Sequence, residues 1–236
     1  MSPNSAMGQS YGSEVFSGWR QRSASWASYV DHEFVRGLGN GQLPKDAFLA
    51  YLIQDYIFLL HFARAWAFAV VKSETADQMR TAAATVNALI NEEIQLHVSI
   101  CQDQGISEED LLGAKEAPEN MAYTRYVMDA GINGDLLDLL STLAPCVFGY
   151  GEIGLRLNDQ PDTLPEYRQW IDTYASGEYQ DVCRTVALLI EKTAINRLGP
   201  AFTENPRWSD LCRRFDVATR LEVDFWQMGL RLGRGE

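Results

Sequence analysis

The hydrophobic pattern of this 236-residue chain is helical almost from end to end. Apolar residues recur at spacings of three and four, and sustained alternation of apolar and polar residues, which marks a half-buried strand, is nearly absent. The connections between the helical stretches are short, so consecutive helices should be antiparallel neighbours. The pattern therefore predicts an all-α fold, a single-domain helical bundle.

Glycine, proline and capping residues bound the predicted helices. These helices cover approximately residues 13–36, 44–72, 75–104, 120–130, 135–158, 165–176, 178–198 and 206–232. Residues 1–12 are polar and lack the apolar core of a signal peptide. We expect residues 1–12 to be a disordered tail and residues 13–236 to form the folded domain.

Composition and charge exclude several classes of function. The chain is 46% hydrophobic, which is enough to bury a large core, and its formal net charge is −12, with 32 acidic and 20 basic residues. Without a basic stripe, neither nucleic acid nor an anionic membrane surface is an expected partner. No apolar run is expected to span a bilayer, because polar side chains interrupt the longest one at Gln54, Asp55, His61 and Arg64.

The four cysteines are Cys101, Cys146, Cys183 and Cys212, and none lies near another in the sequence. The spacing forms neither a CxxC metal site nor a redox motif. Reduced thiols in a cytoplasmic protein are the expected state.

The segment LAPCVFGYGEIG, residues 143–154, contains one proline and three glycines inside an otherwise strongly apolar helix. Proline removes a backbone donor, and glycine costs about 1 kcal/mol relative to alanine in a helix. The glycines allow close approach of a neighbouring helix or of a ligand. Because departures from local rules concentrate at functional sites, Cys146 is a candidate functional residue.

Asp55 lies on an aromatic face of the second long helix. Tyr51, Asp55, Phe58 and Phe62 are spaced i, i+4, i+7 and i+11, which places them on one face. A buried aspartate needs a hydrogen bond or a charged partner. It could form a structural ion pair, or it could recognise a polar heterocycle held by the rings.

Glu222 in the last helix is also flanked by aromatic residues, since it precedes Phe225 by three positions and Trp226 by four. A carboxyl group in such surroundings tends to have a raised pKa and can donate a proton. A structural ion pair with an arginine of this segment is the alternative.

The sequence favours no metal site. Glu93 and His97 have the i, i+4 spacing of two ligands on one helix face, but the chain has only three histidines and no Glu-x-x-His motif. We expect His97 to make a structural hydrogen bond. A G-x-S-x-G elbow and a glycine-rich phosphate loop are also missing from the sequence.

Four segments in this order, YLIQDYIFLLHFARAWAFAVVKSE, LAPCVFGYGEIG, YRQWIDTY and LEVDFWQMGL, resemble the TenA family, also called thiaminase II. The resemblance covers approximately residues 16–232. It implies a haem-oxygenase-like fold, a homotetramer, and hydrolysis of an aminopyrimidine in thiamin salvage. It implies no metal and no organic cofactor.

The same resemblance assigns roles to individual residues. Cys146 matches the family's nucleophile, Glu222 its proton-handling glutamate, and Asp55 the aspartate that binds the pyrimidine ring. The pocket aromatics correspond to Tyr123, Tyr150, Tyr174 and Phe225. Phe58 departs from the pattern, because the best-known members carry tyrosine three residues after the aspartate, and the missing hydroxyl bears on substrate preference and rate.

A nucleophilic cysteine needs surroundings that favour its thiolate, because a free thiol with a pKa of about 8.5 is mostly protonated at neutral pH. We hypothesise that Pro145 and the neighbouring glycines expose backbone donors and allow a tight approach that assist the thiol. The proline and glycines would then be present because they make room for a ligand pocket inside the bundle, although they weaken the helix.

Two other classes of function stay open at the sequence level. The chain could be a non-catalytic, thiamin-related ligand binder or regulator, although Cys146 and Glu222 argue against binding alone. It could also be an oxidoreductase or metal enzyme on the same fold, against which the small number of histidines speaks. The sequence leaves open which aminopyrimidine is used and whether thiamin itself is cleaved.

Overall fold

A computed structural model describes residues 9–236, and the regular structure in this range consists of helices. The α-helices are α1 (Glu14–Arg22), α2 (Trp26–Val30), α3 (Glu33–Gly39), α4 (Lys45–Lys72), α5 (Ala76–Ala88), α6 (Ile94–Gln102), α7 (Glu108–Gly113), α8 (Pro118–Asn133), α9 (Leu136–Asn158), α10 (Pro165–Ala175), α11 (Gly177–Leu198) and α12 (Trp208–Gly233). A π-helical segment, Leu89–Glu93, joins α5 to α6, and a short 3₁₀ turn, Phe202–Glu204, precedes α12. The all-α prediction is confirmed.

The segment predicted as one helix over residues 13–36 is instead divided into α1, α2 and α3. The first break falls at Ser23–Ser25, where the Ser23 hydroxyl and the Ser25 backbone N–H both donate to Asp216 Oδ1, at 2.7 and 3.1 Å. The second falls at His32, whose Nδ1 accepts from Phe34 N at 3.2 Å. Side-chain bonds to nearby backbone compete with a continuous helix, and they account for both breaks.

The predicted helix over residues 75–104 is also interrupted. It begins with a capping box formed by Thr75 and Gln78, and then widens at the π-helical segment Leu89–Glu93 before α6 continues. Widened turns of this kind occur frequently at functional sites. Glu93 is the last residue of this segment.

Helices α4, α9 and α12 pack together at the centre of the bundle. Each contributes fully buried aromatic side chains, such as Trp66, Phe148 and Trp226. These three helices also carry the predicted residues Asp55, Cys146 and Glu222. The centre of the bundle is therefore both the core and the place where the candidate residues meet.

Two helices, α4 and α9, are long and apolar enough to cross a membrane when judged by length and composition alone. The expectation that no apolar run reaches this length is therefore wrong. Inside the fold, however, 61% of the apolar window of α4 and 89% of that of α9 is buried. Core helices pass the same test, so these two helices are only a weak indication of a membrane span.

Asp135 caps the start of α9, the helix that carries Cys146. Its Oδ1 accepts the backbone N–H groups of Leu137 and Asp138 at 2.9 and 3.0 Å. Its Oδ2 lies 2.8 Å from both Arg197 and Arg207. Burial opposes ionisation, but these donors and cations hold the pKa of Asp135 at about 2.

The predicted tail covers residues 1–12, of which residues 1–8 lie outside the described range. Tyr11 in the described part is half-buried: its hydroxyl donates to Gln180 Oε1 at 3.1 Å, and its ring centroid is 5.4 Å from that of Phe148. The packed structure therefore includes Tyr11.

Candidate active site

Cys146 lies near the middle of α9, directly after Pro145, and α9 stays helical on both sides of the proline. The Tyr29 hydroxyl donates to the Pro145 carbonyl at 3.4 Å. The thiol is 5% exposed and lines a cavity of about 400 Å³. Other residues that line this cavity include Phe62, Glu93, Tyr174 and Tyr179.

The glycines that follow Cys146 make room for neighbouring elements, as the sequence predicts. A Cβ at Gly149 would lie 2.0 Å from Tyr29 Cε1, and one at Gly154 would lie 2.5 Å from the backbone carbonyl carbon of Tyr174. Real Cβ atoms do not approach this closely. The glycines therefore allow Tyr29 and the backbone of α10 to pack directly against α9.

The hypothesis that this local geometry assists the thiol at rest is wrong. Burial raises the pKa of Cys146 well above its ordinary value, and the negative charges of Glu222, Glu93 and Asp55 raise it further. The residues that line the cavity include no lysine, arginine or histidine. The resting thiol is protonated, so its nucleophilic form needs a proton acceptor.

Asp55 is buried on α4, where one tyrosine hydroxyl donates to it and one histidine lies within ion-pair distance. The Tyr51 hydroxyl donates to Asp55 Oδ2 at 2.8 Å, and His97 Nε2 lies 2.7 Å from the same oxygen. The Tyr51 oxygen is also 3.2 Å from that of Tyr150 and accepts the indole N–H of Trp170 at 3.3 Å. Within residues 9–236, no protein donor forms a hydrogen bond with Asp55 Oδ1, and Asp55 does not line the cavity.

His97 supplies a positive charge beside Asp55. Its Nδ1 is 2.8 Å from the Glu93 backbone carbonyl, which can only accept, and its Nε2 faces a carboxylate. Both ring nitrogens therefore carry protons. Burial lowers the pKa of His97, but its contacts with Asp55 and Glu93 outweigh burial and raise it overall. The predicted structural hydrogen bond of His97 is confirmed.

Glu222 on α12 is equally buried but has no such partner. The Tyr123 hydroxyl donates to Glu222 Oε1 at 2.8 Å. Among the described residues, no lysine, arginine or histidine forms an ion pair with it, so the alternative of an ion pair with an arginine is not seen. Burial raises the pKa of Glu222 well above its ordinary value, and this effect exceeds the opposing effect of the tyrosine.

The predicted aromatic residues form one contiguous cluster with the two carboxyl groups. Phe58 packs between Tyr123 and Phe225, with ring centroids 4.8 and 5.5 Å away. Tyr150 packs against Tyr174 at 4.9 Å. Tyr51, whose ring is 6.0 Å from that of Phe225, connects the two groups through its hydrogen bonds.

Glu93 is the charged group that sequence reasoning did not place in this site. Its Oε1 accepts the Tyr174 hydroxyl at 2.7 Å, and its side chain lines the same cavity as Cys146. Burial raises the pKa of Glu93 to about 7. The spacing of Glu93 and His97 marks one helix face, but the π-helical turn that directs Glu93 toward the cavity has no signature in the sequence.

Two supporting residues, Trp170 and Tyr29, were not predicted to take part in the site, whereas Tyr51 was predicted on the Asp55 face. Tyr51 and Trp170 hold the Asp55 network together, and Tyr29 touches the backbone beside Cys146. Within residues 9–236, no group of three histidine, cysteine, aspartate or glutamate side chains is arranged to hold a metal ion.

This all-helical bundle, with a cavity-facing cysteine between buried carboxyl groups, matches a family model described as TENA/THI-4/PQQC over residues 19–232. The chain belongs to this family, as the sequence resemblance predicts. It is similar to the aminopyrimidine aminohydrolase of Halalkalibacterium halodurans, with 32% identity over 86% of this chain and 89% of that protein. It is also similar to an uncharacterized protein of Haemophilus influenzae, with 39% identity over 90% and 97%.

Solved structures agree on the fold. The crystal structure of a TenA family transcription regulator from a Silicibacter species is 55% identical, with a TM-score of 0.90, and the match covers 92% of this chain and 97% of that one. A domain of unknown function from Shewanella denitrificans, described as having a heme oxygenase-like fold, is 14% identical, with a TM-score of 0.68 over 91% of each chain. The predicted haem-oxygenase-like fold is confirmed.

Proposed function

We propose that this chain hydrolyses an aminopyrimidine in thiamin salvage, with Cys146 as the nucleophile and Glu222 as the proton donor. The broader class follows from relatives named aminopyrimidine aminohydrolase, which are 28–32% identical to the chain. The chain is a hydrolase of the thiaminase II type. The observation that carries the finer assignment is the cavity-lining thiol of Cys146, which lies near enough to the buried carboxyl groups of Asp55 and Glu222 for their charges to raise its pKa.

The aminopyrimidine ring is proposed to bind against the aromatic cluster. Asp55 Oδ1 is available to accept a hydrogen bond from the exocyclic amine, while Tyr51 and His97 hold Oδ2. The rings of that cluster are those of Phe58, Tyr123, Tyr150, Tyr174 and Phe225, and of these Tyr174 lines the cavity that Cys146 also lines. The cavity volume of about 400 Å³ is in the range expected for a small ligand, and the substrate is proposed to extend from this cavity into the cluster.

The chemistry follows from the placement of the thiol and of Glu222. When the sulfur of Cys146 bonds to a ring carbon, electron density moves onto a ring nitrogen, and protonated Glu222 donates its proton there. The amine on the exocyclic methylene then leaves, and the oxygen of a water molecule bonds to the methylene carbon in its place; the proton that this water gives up leaves with the amine. Cleavage of the carbon–sulfur bond restores the aromatic ring and returns the proton to Glu222.

Substitution of the nucleophile tests this proposal. Cys146→Ala should abolish hydrolysis of an aminomethylpyrimidine, while Cys101→Ala, the matched control at a thiol buried elsewhere, should keep it. Iodoacetamide should modify Cys146 alone in the folded protein, because the other three thiols do not line the cavity. Near-full activity of Cys146→Ala would show that no covalent bond to this sulfur is needed.

One observation favours a second candidate, a ligand-binding regulator. The Silicibacter relative carries the words transcription regulator in its description. In that case the wild-type protein would bind a pyrimidine without turning it over, and Cys146→Ala would bind equally well. Measuring binding and hydrolysis across thiamin, aminomethylpyrimidine and formylaminopyrimidine separates the two candidates and identifies the substrate.

The homotetramer and the cytoplasmic location are also proposals. Exposed apolar side chains at Val71, Leu112 and Ile132 are compatible with burial in an interface. The four free cysteines are compatible with a reducing compartment. Light scattering at micromolar concentration should give the mass of a tetramer, and a monomeric mass would contradict this proposal.

A further inference from the structure

The protonated thiol of Cys146 leaves the proposed reaction without a proton acceptor. Burial and the surrounding carboxylates disfavour a resting thiolate, and no basic side chain lines the cavity. Formation of the carbon–sulfur bond must therefore move the sulfur proton to another group in the site.

Three observations narrow the choice of that group. Glu222 has a strongly raised pKa and holds its own proton, so it cannot accept another. Asp55 is paired with His97 and is not among the residues that line the cavity. Glu92 and Glu178 line the cavity, but both are solvent-exposed.

Glu93 is the remaining group that can take up the sulfur proton of Cys146. It shares the cavity with Cys146, and the Tyr174 hydroxyl holds its Oε1 at 2.7 Å. The π-helical segment Leu89–Glu93 and the next turn of α6 fix its backbone, whose carbonyl accepts from His97. A pKa of about 7 suits a group that must both take up and release a proton at neutral pH.

We infer that Glu93 is a second proton carrier of the site, serving the sulfur while Glu222 serves the ring. The Glu93 carboxylate accepts the proton of Cys146 Sγ as the carbon–sulfur bond forms. It returns the proton to the sulfur as that bond breaks, so that each carboxyl group ends the cycle in its starting state. This inference rests on the proposed function.

Glu93→Gln tests the inference, because the amide can still accept from Tyr174 but cannot take up a proton. We expect kcat on an aminomethylpyrimidine to fall about 10²-fold or more, the usual scale for losing a general base. The loss of kcat/KM below about pH 7 should disappear from the pH profile. Glu93→Asp, which keeps a carboxyl group, should recover part of the activity together with this pH dependence. Glu109→Gln, at an exposed acid that does not line the cavity, is the matched control.

Alkylation of Cys146 provides a measurement that does not depend on turnover. Alkylation also requires the sulfur to lose its proton, so iodoacetamide should modify Cys146 more slowly in Glu93→Gln than in the wild type near pH 7, and Glu93→Asp should recover part of the rate. Mass spectrometry should find one modified cysteine, whereas an unfolded variant would show four.

The outcomes separate this inference from the proposed function. If Cys146→Ala is inactive but Glu93→Gln keeps wild-type kcat and pH dependence, Glu93 is not the proton acceptor and the proposed function stands. If turnover of Glu93→Gln falls while iodoacetamide still modifies Cys146 at the wild-type rate, Glu93 only shapes the substrate site, and the inference is overturned. If the wild type hydrolyses no aminopyrimidine, the proposed function fails and the inference fails with it.

Discussion

Asp55 and Glu222 are buried to the same extent, each 2% exposed, yet the structure surrounds them with different partners. Asp55 faces the protonated ring of His97 and the hydroxyl of Tyr51. Glu222 has the hydroxyl of Tyr123 and no cation within ion-pair distance among the described residues. The two equally buried carboxyl groups therefore differ in one respect, that a histidine faces Asp55 and none faces Glu222 among the described residues.

Because their surroundings differ, we assign the two carboxyl groups different roles in the proposed reaction. An ionised aspartate can only accept hydrogen bonds, which suits recognition of an exocyclic amine. A neutral glutamic acid can donate a proton to a ring nitrogen as negative charge develops there. Replacing each carboxyl by its amide should therefore have different kinetic consequences.

The largest expected effect is that of Glu222→Gln. The amide resembles the protonated acid in shape and can accept from Tyr123, but it cannot transfer a proton. We expect kcat on an aminomethylpyrimidine to fall by about 10² to 10⁴, the range for losing a general acid, with little change in KM. Steady-state kinetics and a thermal melt, as a folding control, measure this. A change confined to KM would reverse the roles of the two carboxyl groups.

Asp55→Asn should have a smaller effect of a different kind. Losing a hydrogen bond to a charged group costs about 1.5–3 kcal/mol, which corresponds to roughly 10- to 150-fold in kcat/KM. We expect most of this loss in KM, because Asp55 binds the substrate in both the ground state and the transition state. If kcat falls as far as in Glu222→Gln while KM stays constant, Asp55 takes part in the chemistry.

Local sequence patterns predicted which residues of α4 and α12 lie in the site, but they did not predict the contacts between helices that surround these residues. The spacing of Tyr51, Asp55 and Phe58 is a property of a single helix, as is the position of Glu222 three residues before Phe225. These residues lie where the sequence placed them. The aromatic neighbours of Glu222 also led to the correct direction for its pKa.

The contacts that set the charges join helices far apart in the chain and were not predicted. His97 reaches Asp55 from α6, and Tyr123 reaches Glu222 from α8. The π-helical turn before Glu93 depends on how α5 and α6 pack against α4, for which no local motif exists. The first break in the first predicted helix involves Asp216, nearly two hundred residues away.

The smallest expected effect is that of Phe58→Tyr, which restores the hydroxyl present in the best-known members of the family. The ring of Phe58 packs between Tyr123 and Phe225, beside the Glu222 half of the site. One added hydrogen bond is worth about 1 kcal/mol, so kcat or KM should change about fivefold with folding intact. Unchanged kinetics would show that the hydroxyl has no role in this chain.

Infrared difference spectroscopy tests the central claim, that Glu222 is neutral and Asp55 is ionised in the resting protein. Near pH 7, the wild type should show a carboxylic-acid C=O stretch that is lost in Glu222→Gln and kept in Asp55→Asn. Asp55→Asn should instead lose carboxylate bands. An acid band that disappears with Asp55→Asn, or a Glu222→Gln spectrum that lacks only carboxylate bands, would contradict the assignment.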